Sequence, residues 1–414
     1  MITYPIGLLS QKVSADAIKI TMTPTAGFTA GINLTFASGT LTIDWKDGSA
    51  TENFVSGIEL THTYTLAGTY IAEITGDLLG ITKFVADNSR ITFISGLKTG
   101  LLTEFNINTN LYIGVLDMSL APISGIFRPY SNAGLTEIIF ATSGNGIVNN
   151  LIIRFTAITS LNLSNVPIGG SVEIRSNSSL TTLTFASSGN VKVTAFRLYT
   201  NNLTGVLDLS NVPIGGLFQV YSNTLLTGIT FASSGNSLVS DFKVYSCNLT
   251  GILNLSNVPI GVVFDSHSNS LLTGITFASS GNTLTSTFYA YSCNITGTVN
   301  ASNVPTGTNV IWRFNSLMTG ITLASVGNGS LNNFDMDGCA LPNIDLSVYA
   351  TSTPAEIDFK NNSLSATEHD NQLINLDGTG WINGTLEIIT GNTARTSASD
   401  TAYNNLITNG WTIT

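Results

Sequence analysis

The sequence of 414 residues is poor in charge: Asp, Glu, Lys and Arg together make up only 10% of it, with 15 basic and 25 acidic side chains. The resulting net charge of −10 argues against nucleic acid as a general partner, since phosphate binding needs a basic footprint. Histidine is almost absent, at His62, His267 and His369, and no Ser-His-Asp or Cys-His spacing emerges. No Gly-rich phosphate cradle is visible either, so no enzyme and no cofactor is expected. No segment approaches 18 consecutive apolar residues, which removes a membrane-spanning helix from the expectations. The first residues, MITYPIGLLSQKVSAD, lack a basic stretch followed by a long apolar core, so no secretion signal is expected. Cysteine is limited to Cys247, Cys293 and Cys339, spaced 46 apart. Two coils of a solenoid would separate them by about 9.6 Å, beyond disulfide reach, and a small filler is the plain reading.

What is abundant is repetition. The prolines of an NVP triplet fall at Pro167, Pro213, Pro259 and Pro305, each 46 after the last. Inside that period, a Thr-Gly dipeptide ends at Gly205, Gly228, Gly251, Gly274, Gly297 and Gly320, always 23 apart. A fixed period of 20–50 residues marks a solenoid, here of about twelve coils. Two residues before each reference position runs an apolar column: Tyr112, Leu135, Ile158, Leu180, Leu203, Leu226, Leu249, Leu272, Ile295, Met318, Leu341 and Leu364. The reference of the next-to-last coil is Asn343. An asparagine ladder is expected at Asn132, Asn177, Asn223, Asn269 and Asn315 in one class of coil and at Asn202, Asn248 and Asn294 in the other, satisfying backbone groups where the chain leaves the strand. The VPIG and ASSGN segments read as extended or 3₁₀-like turns on the far side.

Two resemblances follow from these letters. The motif N-x-L-T-G-x-L-x-L-S and its variants resemble the leucine-rich repeats of bacterial and phage surface proteins over roughly residues 77 to 414. The resemblance implies a parallel concave sheet. Earlier in the chain, Asp44-Trp45-Lys46-Asp47-Gly48-Ser49, with His62-Thr63-Tyr64 and Gly68-Thr69-Tyr70, resembles the PKD-type β-sandwich, although Lys46 stands where that family usually has Gly. The fold class expected is therefore mainly β: a PKD-like (Ig-like) β-sandwich over 1–76, a leucine-rich-repeat solenoid over 77–365, and a small α/β cap over 366–414. In the cap, Ser365 and Glu368 form a capping box opening a helix to about Leu376, and Trp411–Thr414 forms a last strand. Asp44 and Asp47 read either as a cation site or as turn-stabilising carboxylates.

The strand before each asparagine carries the functional expectation. Inward positions recur as Phe, Val or Leu, and two outward columns vary coil by coil. The first holds Arg128, Arg197, Lys243 and Tyr289; the second holds Tyr130, Arg154, Arg175, Tyr199, Tyr221, Tyr245, His267, Tyr291 and Arg313. One reading is that tyrosine stacks here merely as a good strand former, with arginine adding solubility. The same residues also dominate binding hot spots, and would suit a glycan or protein of a bacterial cell surface. The pair Asp335 and Asp337 reads as the solvated end of the sheet rather than as glycosidase carboxylates. No metal is expected. The role implied is a non-enzymatic phage virion component (a tail or head fibre attached to other virion proteins by its N-terminal domain). A bacterial surface adhesin and a purely structural decoration protein remain the alternatives.

Overall fold

The structure is a computed structural model that describes residues 17–342, 344–349 and 352–414. Met1–Asp16 and Asn343 lie outside the described residues. The chain divides into two compact units, Met1–Val166 and Pro167–Thr414. Both carry coils of a parallel-strand β-solenoid, about twelve turns in all.

The first unit opens with antiparallel strands. Glu52–Asn53, Leu41–Asp44, Tyr70–Gly76, Ile18–Met22 and Ile91–Ser95 form one five-stranded sheet. Opposite it, Phe28–Phe36 pairs antiparallel with Glu59–Tyr64 on one side and with Ile81–Val85 on the other. Ile81–Val85 then pairs parallel with Leu102–Asn106. The strand Phe28–Phe36 thus closes the first coil's sheet edge, which would otherwise present unpaired backbone groups. Ile81–Val85 thus joins the antiparallel strands to the first parallel ones, and Ile91–Ser95 belongs to the five-stranded sheet.

In the second unit the long sheet is built from parallel strands that come into register after a bulge in most pairs. Phe196, Phe218, Phe242, Phe264 and Phe288 are Cα partners in succession, and Val310, Phe334, Ile357 and Leu386 continue the row. All of these are fully buried, as are Phe84, Phe105, Phe127 and Leu151 of the first unit. On the other side of the coils, parallel strands associate only in pairs, such as Thr204–Leu209 with Leu225–Phe231 and Thr250–Asn254 with Leu271–Thr276. The apolar column from Tyr112 to Leu364 is no more than 2% exposed at any position.

The corner after each long-sheet strand follows one rule. A residue in the left-handed region precedes a buried hydrogen-bonding residue: Ser131–Asn132, Thr200–Asn201, Ser222–Asn223, Ser268–Asn269 and Asn361–Asn362, with φ between 53 and 56° in the first member. The second member reaches back one coil. Asn223 Nδ2 donates to Leu198 O at 2.8 Å, Asn269 Nδ2 to Val244 O at 2.9 Å, and Asn315 Nδ2 to Ala290 O at 2.8 Å.

Here the structure differs from the sequence expectation. In the second class of coil the ladder residue is not Asn202, Asn248 or Asn294 but the residue before each: Asn201, Cys247 and Cys293, followed by Cys339. Asn201 Nδ2 donates to Ile174 O at 2.8 Å, and the Sγ atoms of Cys247, Cys293 and Cys339 donate to Val220, Ser266 and Trp312 carbonyls at 3.4 Å each. The cysteines are therefore ladder members, not fillers. Burial pushes their thiols up to about 11, 11 and 12, which disfavours the thiolate, and all three are free. From Asn177 the ladder steps are 24, 22, 24, 22, 24, 22 and 24, and that alternation sets the 46-residue period.

The C-terminal cap matches its sequence signature. Ser365 and Glu368 complete a capping box on the helix Ala366–Gly378, and Trp411–Ile413 pairs parallel with Gly384–Glu387. Asp370 anchors the second helix, Asp400–Thr408, by accepting from the Thr396 amide and from the Thr396 and Ser399 hydroxyls.

Two substitutions at one corner should move stability in opposite directions. Asn223→Ala strands buried carbonyls and is expected to cost about 1–3 kcal/mol. Ser222→Gly relieves a left-handed residue and should gain up to about 1 kcal/mol. Denaturant midpoints of the two variants check the pair, and equal shifts would count against the corner rule.

Candidate functional site

The outer face of the long sheet in the second unit carries two columns that vary from coil to coil. The first reads Glu173, Arg197, Gln219, Lys243, Asp265, Tyr289, Ile311, Asp335, Asp358 and Glu387 in register. Two residues further along each strand lies the aromatic column.

Its members touch. Tyr199 and Tyr221 stack with ring centroids 4.5 Å apart and planes 7° from parallel; Tyr221 and Tyr245 follow at 4.6 Å and 9°. His267 continues at 4.5 Å from Tyr245 and 4.4 Å from Tyr291. Five rings thus form one stack whose step is the strand spacing itself. A guanidinium covers each end, Arg175 at 5.4 Å from the Tyr199 centroid and Arg313 at 5.3 Å from that of Tyr291, in cation–π geometry. Tyr289 leans edge-on to Tyr291 at 6.1 Å. In the first unit, Arg154 covers Tyr130 at 4.5 Å, and Arg128 Nε donates to Asn150 Oδ1 at 3.3 Å.

The arrangement fixes what the rings can offer. The faces of Tyr199, Tyr221, Tyr245, His267 and Tyr291 are taken up by one another or by arginine, so a ligand meets ring edges and phenolic hydroxyls rather than open ring faces. Burial raises the Tyr221 phenol to about 12 and also raises Tyr245, Tyr289 and Tyr291. Tyr221, Tyr245, Tyr289 and Tyr291 therefore stay protonated and able to donate hydrogen bonds well above neutrality.

Most charges on this face are matched. Arg175 pairs with Glu173 at 2.7 Å, Lys243 with Asp241 at 3.0 Å, His267 with Asp265 at 2.5 Å and Arg313 with Asp335 at 3.2 Å. Gln219 donates to Asp241 at 2.6 Å. Arg197 has no carboxylate partner among the described residues. Asp335 accepts from the Asp337 amide at 3.1 Å as well as from Arg313, and burial raises its carboxyl above the usual range.

Sequence reasoning stopped the columns at Asp335 and Asp337. The face continues into Glu356, Asp358, Lys360 and Glu387, brought alongside because the cap's strands join the same sheet. Carboxylate oxygens of Glu356, Asp358 and Glu387 lie within 4.8 Å of one another, and the Lys360 ammonium binds Asp358 and Glu387 from within that group. Burial holds Asp358 up, while Lys360 holds Glu387 down. The missed signal was an insertion: the step from Asp358 to Glu387 is 29 residues because a helix intervenes.

The N-terminal carboxylates are turn residues. Asp44 accepts from the Lys46 amide and pairs with its ammonium at 2.8 Å, while Asp47 accepts from the Ser49 amide and pairs with His62 at 2.8 Å. Lys46 sits at φ 62°, a left-handed conformation that favours glycine. Trp45 is fully buried, stacks on His62 at 4.7 Å and donates to Glu52 at 2.8 Å.

Compared with known protein families, with curated proteins and with solved structures, the chain shows no match.

Raised phenols predict an alkaline transition. A group whose folded-state pKa exceeds its unfolded value contributes stability below the unfolded pKa, and that stability is lost as pH rises. With Tyr112, Tyr221 and Tyr349 near 12 and free phenols near about 10, stability should fall as pH rises between those values. Absorbance titration of tyrosinate against unfolding at each pH checks it; early ionisation of all tyrosines in the folded state would contradict it.

Proposed function

We propose that the chain is a non-enzymatic recognition protein of leucine-rich-repeat type with a PKD-like N-terminal domain. Its outer long-sheet face binds a glycan or protein of a bacterial cell surface. The setting proposed is a phage virion, as a tail or head fibre, with the N-terminal domain toward other virion proteins. The observation that carries the reading is the five-ring stack closed by arginine at both ends. It presents the hydroxyls of Tyr199, Tyr221, Tyr245 and Tyr291, with the His267 imidazole interposed before the last, on a scaffold fixed by the sheet, and a preorganised surface loses little side-chain entropy on binding. Paired charges around it keep the surface polar without a strong net field. The unpaired Arg197 beside Tyr199 adds a single cationic point suited to a carboxylate or phosphate. A composition low in charge and rich in Ser, Thr, Asn and Gly suits an exposed particle surface.

Hydroxyl-edge recognition separates binding from scaffold. Truncating Tyr221 to Ala would break two stacking contacts and cost stability as well as any ligand. Tyr221→Phe with Tyr245→Phe keeps the stack and removes only the hydroxyls. The double variant is expected to lose attachment to host cells or glycan arrays by tenfold or more, about 1.4 kcal/mol, with an unchanged melting temperature. Undiminished attachment would sink the ladder as the binding surface. The virion setting is checked separately, by mass spectrometry of purified particles, and absence of the protein there would end it.

A further inference from the structure

The paired strands on the other side of the coils leave a second surface that the recognition face does not use. Its outward positions alternate between large and small in two adjacent columns. In one, Leu225, Leu271 and Leu317 are separated by Thr204, Thr250 and Thr296, since each Leu pairs in register with such a Thr. In the neighbouring column Val206 pairs with Gly228 and Ile252 with Gly274. The large side chains of both columns are 47 to 65% exposed. Neither column contains a charge.

The two columns are out of phase. Leu225 stands on the same strand as Gly228, and Val206 on the same strand as Thr204, so each coil offers one projection and one depression and the next coil reverses them. The pattern repeats every two coils, at about 9.6 Å. Gly274 is not in a left-handed conformation, and a Cβ there would meet only Ile252 Cγ1 at 3.5 Å, an ordinary contact. At the equivalent Gly228 and Gly320 a Cβ would come within 3.3 Å of Val206 and 2.9 Å of Thr298, so only at Gly274 is the depression free of a demand from the chain's own packing.

We propose that this face is an interface between two copies of the chain, packed face to face about a two-fold axis. A surface of projections and depressions at a two-coil period is matched by a body with the same period and the complementary phase, and a second copy turned about a two-fold provides both. In the dimer, Ile252 and Leu271 of one copy enter depressions of the other, at the roughly 10 Å separation of packed sheets. Six strands at about 4.8 Å and about 20 Å of strand give a footprint on the order of 600 Å², close to the ~800 Å² per partner of a specific interface. The two contact columns themselves set no like charges against each other, and Asp208, exposed two residues past Val206, lies beside them.

Sedimentation of the full chain from about 1 to 100 μM tests this, with three proteins compared. The parent chain is expected to self-associate to a dimer. Ile252→Ser with Leu271→Ser removes two projections, both on exposed positions, and should raise the dissociation constant roughly tenfold or more. Gly274→Val fills one depression while leaving the parent melting temperature, and should weaken the dimer likewise. A parent chain that stays monomeric across the range overturns the proposal. So does a dimer that both variants leave unchanged. Because the ladder tyrosines are intact in all three proteins, loss of the dimer and loss of ligand binding are read independently.

Discussion

Everything in the coils depends on one constraint: each turn must leave the long sheet at a buried corner, where backbone groups lose water and need partners. A left-handed residue followed by a side chain with a donor solves this at every corner. An unpaired carbonyl there would cost about 1–3 kcal/mol, repeated once per coil, a sum no marginally stable fold could carry. Because the donor must reach back to the preceding coil, it also locks the register of one strand on the next. The straight rows of buried phenylalanine, and the ring stack outside them, are consequences of that lock.

The solenoid was legible in the letters because its core positions recur at fixed intervals and tolerate only apolar side chains. Inward phenylalanines, the apolar column and the capping box at Ser365 all sit where periodicity and capping chemistry place them. What escaped was the donor at alternate corners. Asn248 is the better hydrogen-bonding residue on paper, and Cys247 looks like a filler, yet the left-handed Ser246 turns the chain one residue earlier and puts the thiol in the ladder. Residue type was a poorer guide than backbone turn, which a sequence with serine at a position usually given to glycine does not advertise. The antiparallel seam at Phe28–Phe36 was equally hidden, since alternation of apolar residues marks a strand but not its partner.

For the outer face, the columns were readable but their meaning was not. Alternation named the outward residues; only three-dimensional register showed that Tyr199, Tyr221, Tyr245, His267 and Tyr291 spend their ring faces on one another. Stacking as a strand-stabilising device and recognition by the same residues are thus compatible: the faces hold the ladder together and the hydroxyls remain for a ligand. The acidic end at Glu356, Asp358 and Glu387 joined the face through an insertion that breaks the period, and no spacing argument reaches across it.

The alternation of 22- and 24-residue corner steps has a further consequence for how such a chain can change length. Removing one coil would set two like corners in succession and shift every later donor by a residue against its carbonyl. Removing two would restore phase and shorten the body without rearranging a single contact type. The block from Phe242 repeats the one from Phe196 almost letter for letter, as duplication of a whole 46-residue module would leave it. Growth and loss in this architecture are therefore quantised in double turns, and the reach of the molecule is a variable that recombination can reset in fixed steps of about a nanometre.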